Sequence, residues 1–247
     1  MRYSLQFLKK ILRWIFSIKI LEVAQINFLK HLDPKILARS VDESLLSPYG
    51  TFIRQGSNEG LLNRLNLTEN HVAIVFGAYL GDSIARYRKK FDCVVIGYEP
   101  VIEFYTKLLD RFKTDPKVIL YQQGVAHKKG TQNIYLNVDE TSILRSDFSK
   151  SEIIEMQSLE EILTKVQKEF NDADIFIEMN IEGAEFDILE KMNMTSINLK
   201  NVKSMLIQFH PFVEDFQNRL ELIHTKLTRN FYLGVNYPWV WEFWLKK

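Results

Sequence analysis

HVAIVFGAYLGDSIARYRKKFDCVVIGYEP, residues 71–100, decides the fold. It opens with an apolar run of strand length, Val72–Phe76. A glycine turn follows, Gly77-Ala78-Tyr79-Leu80-Gly81, and then a helix-like segment, Asp82–Lys90. A second apolar run, Cys93–Ile96, ends near an acid, Glu99, and Pro100. Short apolar runs bounded by glycine read as buried strands, and the amphipathic stretch between them as a crossover helix. The whole is a βαβ unit, the building block of a parallel sheet.

The turn and the acid carry chemistry. Glycines let the chain turn sharply and leave room for a ligand beside the backbone. Glu99 lies 22 residues after Gly77, where nucleotide folds place the acid that holds a ribose, about 20 residues on. The turn reads GxxxG, not GxGxxG, and no phosphate-binding Lys-Ser/Thr pair follows Gly81. A cofactor with adenine and ribose but no pyrophosphate fits this turn, and S-adenosylmethionine is the expected one. Gly77, Ala78, Tyr79, Gly81, Glu99 and Pro100 are its expected contacts. The competing role for Gly77 and Gly81 is close packing of strand on helix.

Outward from this unit the alternation continues. Strand Cys93–Tyr98 leads to helix Ile102–Thr114, then strand Val118–Gln122, with Gly124, Val125 and Ala126 expected to flank the adenine. A turn at Lys128–Gly130 precedes a short strand, Asn133–Leu136. Ser158 is placed to cap a helix over 159–170, with Glu161 at capping-box spacing. Strand Ile175–Asn180, helix Ala184–Met192 and strand Ser204–Phe209 follow, and the tail, residues 230–245, reads as an antiparallel hairpin around Asn236-Tyr237-Pro238. The pattern predicts an α/β, Rossmann-like sheet, mostly parallel, covered on both faces and closed by that hairpin. Residues 47–70 read as a loop and a short helix, and residues 1 to about 46 as helices broken near Asp33-Pro34. The domain division expected is 1–69, a helical segment, and 70–247, the catalytic domain.

Bulk properties exclude several classes. With 32 basic and 31 acidic residues the net charge is +1, so no global field favours nucleic acid as a partner. The five histidines show no HxH or HExxH spacing, and no metal site is expected. Cys93 lies within a strand and cannot form an internal disulfide alone, which suits a reducing, cytoplasmic compartment. The first twenty residues hold five bases and no acid, with Leu5, Leu8, Leu12, Ile15 and Phe16 at helical spacing. Their longest apolar run is three residues, Trp14–Phe16, too short to span a membrane. A basic amphipathic helix over residues 1–21 is expected either to touch an anionic membrane surface or to pack on the domain.

The second constellation is IEMNIEGAEFDIL, residues 177–189. In an open α/β sheet, ligands lie beyond the strand C-termini. Asn180 and Glu182 are therefore expected beside Gly77 and Glu99. Glu185, inside the next helix, is expected only to complement the helix dipole.

VFGAYLGDS at 75–83, YEP at 98–100, IEGAE at 181–185 and the His210-Pro211 pair resemble, in order, the FkbM-family methyltransferases, over roughly residues 70–245. The resemblance implies methyl transfer from S-adenosylmethionine to a hydroxyl of a saccharide or secondary metabolite. Five positions depart from the family pattern. Val75 stands where an acid is usual, Tyr79 replaces the usual Asn, and Glu178 and Asn180 occupy the places of Lys-x-Asp. Gln208 replaces a Glu. Loss of the acid at Val75 removes a partner for the cofactor's amino group, and Asn180 for Asp removes a base or metal ligand.

His210, with an ordinary pKa near 6.5, is the first expected general base and Glu182 the second. The expected acceptor is a saccharide or other hydroxyl-bearing small molecule of cell-surface polysaccharide biosynthesis. The alternative is a catalytically impaired member serving as an interaction module, as fold alone does not fix function. A nucleotide-dependent oxidoreductase is disfavoured by the missing GxGxxG, and an RNA methyltransferase by the near-zero charge.

Overall fold

The structure, a computed structural model, describes residues 48–136, 141–142, 150–171, 173–196 and 199–247. The chain divides at Leu65/Asn66 into two units. In the first, the described residues form two short helices, α1 (Pro48–Arg54) and α2 (Ser57–Leu62), where a single helix in a loop was expected. Gly56, with φ 93°, makes the break between them. The helices expected before residue 47 lie outside the described residues.

The second unit carries a seven-stranded sheet. Its strands are β1 (His71–Phe76), β2 (Val94–Tyr98), β3 (Val118–Tyr121), β8 (Asp174–Met179), β9 (Val202–Ile207), β10 (Phe231–Tyr237) and β11 (Trp241–Lys246), in the order β10-β11-β9-β8-β1-β2-β3. From β9 to β3 every pairing is parallel, and β11 runs antiparallel to both its neighbours. The expected parallel sheet with a closing hairpin is therefore present. Chain order reverses at β1, which sits between β2 and β8. Above such a switch point the loops diverge and leave a crevice.

The residues explain the layers. Val72 to Phe76 are all essentially buried, as a central strand covered on both faces requires. On one face, Ile84 and Tyr87 of α3 (Asp82–Lys90) are buried, and α4 (Ile102–Phe112) follows β2. On the other, Ile74, Phe76, Ile177 and Met179 join one core with Leu163 of α5 (Leu159–Glu169), Phe186 of α6 (Ala184–Lys191) and Ile223 of α7 (Phe216–Leu227). Burying one such side chain contributes roughly 1.5–3 kcal/mol. The cap on α5 forms as expected: the Glu161 N–H donates to the Ser158 hydroxyl at 3.2 Å.

Two features went beyond the sequence reading, which had offered only the strand Asn133–Leu136 of the second. One is α7, whose Phe216, Leu220, Ile223 and Leu227 follow helical spacing. The other is a second sheet, ordered β4-β7-β5-β6, from β4 (Gly124–Ala126), β5 (Gly130–Leu136), β6 (Thr141–Ser142) and β7 (Lys150–Ser158). β7 lies in a stretch to which the sequence reading assigned no element. Its alternation puts Ile154 and Met156 inward and leaves Ile153 exposed.

Candidate active site

The site begins at the turn after β1. Gly77 has φ 79°, and a Cβ there would lie 2.1 Å from the Asn180 carbonyl oxygen at the tip of β8. Only glycine lets these two strand ends approach so closely. The Gly77 and Ala78 N–H groups both donate to the Tyr98 carbonyl, at 3.1 and 3.0 Å. The turn is thereby tied to the tip of β2, where Glu99 stands.

Glu99 is buried. Its Oε2 accepts the Tyr79 N–H at 2.8 Å and its Oε1 the Val101 N–H at 3.0 Å. Burial pushes its carboxyl up to about 7; the Val101 and Tyr79 donors oppose the rise and Glu152 adds to it. Tyr79 takes φ 49° to present its N–H, a left-handed conformation that Asn adopts more readily than an aromatic residue. Its half-exposed ring packs edge-on against Phe104.

A cleft of about 510 Å³, part of it open to solvent, lies at these strand ends. Gly77, Glu99, Pro100, Gly124, Val125, Asn180 and Glu182 all line it, with Gln123 and the apolar residues Ile134, Ile154 and Met156. The two glycine–acid constellations, a hundred residues apart in sequence, thus meet. Ala78, Tyr79 and Gly81 stand outside the lining. Tyr79 acts on it through Glu99, and Gly81 serves packing, since a Cβ there would meet Leu108 and Phe112 at 2.7 and 2.5 Å. The wall residues Ile134, Ile154 and Met156 were missed; the period-two alternation of Ile154, Met156 and Ser158 was the available signal.

Asn180 Oδ1 is buried without a hydrogen-bond partner. An orphaned buried acceptor is costly unless a ligand satisfies it. A cation carrying N–H groups suits this atom, the spare lone pairs of Glu99 suit a ribose diol, and the apolar wall suits a flat base. The residues present therefore fit S-adenosylmethionine, with Asn180 offering the acceptor that Val75, fully buried in β1, does not.

A second cluster stands behind Glu182, where the IEGAE segment turns into α6. Glu182 has φ 53°, a left-handed conformation that strains a residue with a side chain and gathers at working sites. Gly183 takes φ 102° freely. The Glu185 side chain is fully buried at the start of α6, where it caps the helix as expected and also holds His210. Its Oε2 accepts the Gly183 N–H at 2.9 Å, and its Oε1 accepts the His210 N–H at 3.0 Å and lies 2.8 Å from His210 Nδ1. His210 Nε2 lies 3.4 Å from Glu182 Oε2. Burial alone lowers the His210 pKa, but hydrogen bonds and charge from Glu182 and Glu185 outweigh it and push the imidazole up to about 9. The ordinary value expected for this histidine is thus not the one its surroundings set. Among the described residues no group of three or more His, Cys, Asp or Glu is arranged to hold a metal ion.

Comparison with known proteins accords with this geometry. Residues 76–233 match the methyltransferase FkbM domain. No curated protein matches the chain. Among solved structures the chain is similar to a fibrillarin/Nop5p complex (13% identity, 81% of this chain and 80% of that one, TM-score 0.42). It is also similar to the Methanococcus jannaschii fibrillarin pre-rRNA processing protein (13%, 74% and 70%, TM-score 0.38). A third is Haemonchus contortus phosphoethanolamine N-methyltransferase 2 in complex with S-adenosyl-L-methionine (12%, 78% and 41%, TM-score 0.33). The family match spans well over half the chain and takes in the glycine turn, Glu99 and the IEGAE segment, so the chain belongs to the FkbM methyltransferase family and its cofactor is S-adenosylmethionine.

Proposed function

We propose that the protein transfers a methyl group from S-adenosylmethionine to a hydroxyl of a saccharide or glycoconjugate, in the biosynthesis of a cell-surface polysaccharide. Glu182 carries this reading: a cleft-lining carboxylate backed by an imidazole that a buried carboxylate holds in turn. The bound cofactor supplies an electrophilic methyl group. The chain's residues then have to place the acceptor oxygen and take its proton, because a sugar hydroxyl is a weak nucleophile.

Glu182 is the group for that proton. Burial lowers the His210 pKa but Glu182 and Glu185 push it up to about 9, which favours the carboxylate over the imidazole as the base. Two carboxylates face the one imidazole ring, Glu182 at Nε2 and Glu185 at Nδ1. Positioning the oxygen in the cleft adds effective molarity. Among the described residues lining the cleft there is neither lysine nor arginine, which favours a neutral hydroxyl as the acceptor.

The test is incubation with methyl-labelled S-adenosylmethionine and a panel of neutral oligosaccharides, amines and carboxylates. Label in a base-stable methyl ether of a saccharide is expected. With Glu182→Gln, turnover should fall about 100-fold or more while S-adenosylhomocysteine binds as before. Label on an amine or a carboxylate, or full turnover in the variant, overturns the reading. Residues 1–21 are proposed to bring the enzyme to anionic membrane surfaces. Full-length protein should then co-sediment with phosphatidylserine vesicles and a chain beginning at Glu22 should not; no helix among the described residues is long and apolar enough to cross a membrane.

A further inference from the structure

Glu185 does more than cap the helix it opens. Its side chain has no exposure, and it receives N–H groups from Gly183 and His210 as well as the His210 ring. An unneutralised carboxylate in such a place is unfavourable by several kcal/mol, so the ring atom facing it at 2.8 Å has to carry a proton. With Nδ1–H turned inward, Nε2 is left pointing at Glu182. The backbone bonds add a second constraint. One carboxylate ties the turn that opens α6 to the segment after β9, 25 residues further on, so ring and turn move together.

We propose that Glu185 is a positioning residue: it fixes the His210 ring with Nδ1–H inward and Nε2 toward Glu182, and through that ring it aims the Glu182 carboxylate into the cleft. The proposal deepens the reading of Glu182 as proton acceptor and rests on it. The charged groups facing His210 are Glu182 and Glu185, both from the turn into α6, and the Phe212 ring lies beside it. The contact to Glu185 is the shorter and the more deeply buried of the two, so it governs the orientation of the ring.

The experiment reads the ring itself and needs no acceptor. Long-range proton–nitrogen spectra of uniformly 15N-labelled full-length protein, with His210 assigned by loss of its signals in His210→Gln, are followed from pH 5 to 10. The native protein should show imidazolium through neutral pH and a slowly exchanging Nδ1–H. In Glu185→Gln the midpoint should fall by at least one unit and the protected Nδ1–H should disappear, while S-adenosylhomocysteine binding shows that the cleft is intact. Should Glu185→Gln fail to fold, Glu182→Gln gives the answer: the protected Nδ1–H should persist there. An unchanged titration in Glu185→Gln, loss of the protected Nδ1–H in Glu182→Gln, or native titration near 6.5 overturns the proposal. If the ring behaves as expected but Glu182→Gln retains full turnover, the positioning stands and the role of Glu182 falls.

Discussion

Val75 and Glu178 are register partners in the parallel β1–β8 ladder. Both are buried, and the Tyr87 hydroxyl donates to the Glu178 carboxylate. In-register residues of a parallel pair project from the same face. Two of the departures from the family pattern, no acid at 75 and an acid in place of lysine at 178, are therefore one departure. The Glu178 carboxylate thus lies beside Val75, where the Tyr87 hydroxyl meets it. Val75→Asp should place a second carboxylate beside the first and destabilise by roughly 3 kcal/mol or more. Adding Glu178→Lys should recover at least half of that loss. Urea denaturation of the two single variants and the double variant measures the coupling, and additivity would show that the positions do not interact.

Gly77 and Gly130 should respond oppositely to the same methyl group. At Gly77 an alanine meets a backbone oxygen at 2.1 Å and must hold φ 79°, whereas at Gly130 a Cβ has nothing within 4 Å. Gly77→Ala should unfold the protein several degrees earlier and weaken S-adenosylhomocysteine binding at least tenfold, because the tips of β1 and β8 have to separate. Gly130→Ala should stay within about 0.5 kcal/mol of the parent. Thermal denaturation with calorimetric titration decides, and equal behaviour of the two variants would remove Gly77 from the site.

Cofactor affinity should depend on pH through Glu99. Its carboxyl sits at about 7 against an ordinary 4.5, so near neutrality it is half protonated, while a ribose diol donates best to the ionised form. Binding should tighten as pH rises from 6 to 8 and release protons at pH 6.5, seen as a buffer-dependent heat. Glu99→Gln should bind weakly and without that dependence. The sign for stability is the reverse. With a raised pKa the folded chain binds more protons than the unfolded one between 4.5 and 7, so this group's contribution falls across that window, by roughly 3 kcal/mol, and is flat above it.

The sequence made the strand-and-turn grammar legible because each unit is local. Gly77 and Glu99 lie on one βαβ unit, and the IEGAE turn follows its own strand directly. β7 was hidden by the polar residues that share its span, Lys150, Ser151 and Glu152, which reads as loop unless the alternation of Ile154 and Met156 is weighed. Glu185 was read only in part, for a different reason. A carboxylate one residue inside a helix is normally a solvated dipole partner, and nothing near it in sequence announces a histidine 25 positions away. The shift at His210 has the same origin, since it depends on two acids that only the crossing of α6 and the β9 end brings to one ring.

Glu242 tests whether such buried acid–histidine pairs work or merely hold. Its carboxylate, also buried, lies 2.9 and 3.1 Å from His224 Nε2 and accepts the Trp244 indole N–H at 3.0 Å. This pair joins α7 to β11, and neither residue lines the cleft. Glu242→Ala leaves the Nε1 of a fully buried tryptophan and the His224 ring without their acceptor, and should cost roughly 3 kcal/mol or more. S-adenosylhomocysteine affinity per folded molecule and methyl transfer should both persist at temperatures where the variant stays folded. The chemistry at His210 then depends on where Glu185 directs the ring, not on the pairing as such. A loss of turnover in folded Glu242→Ala would instead tie the hairpin edge to catalysis.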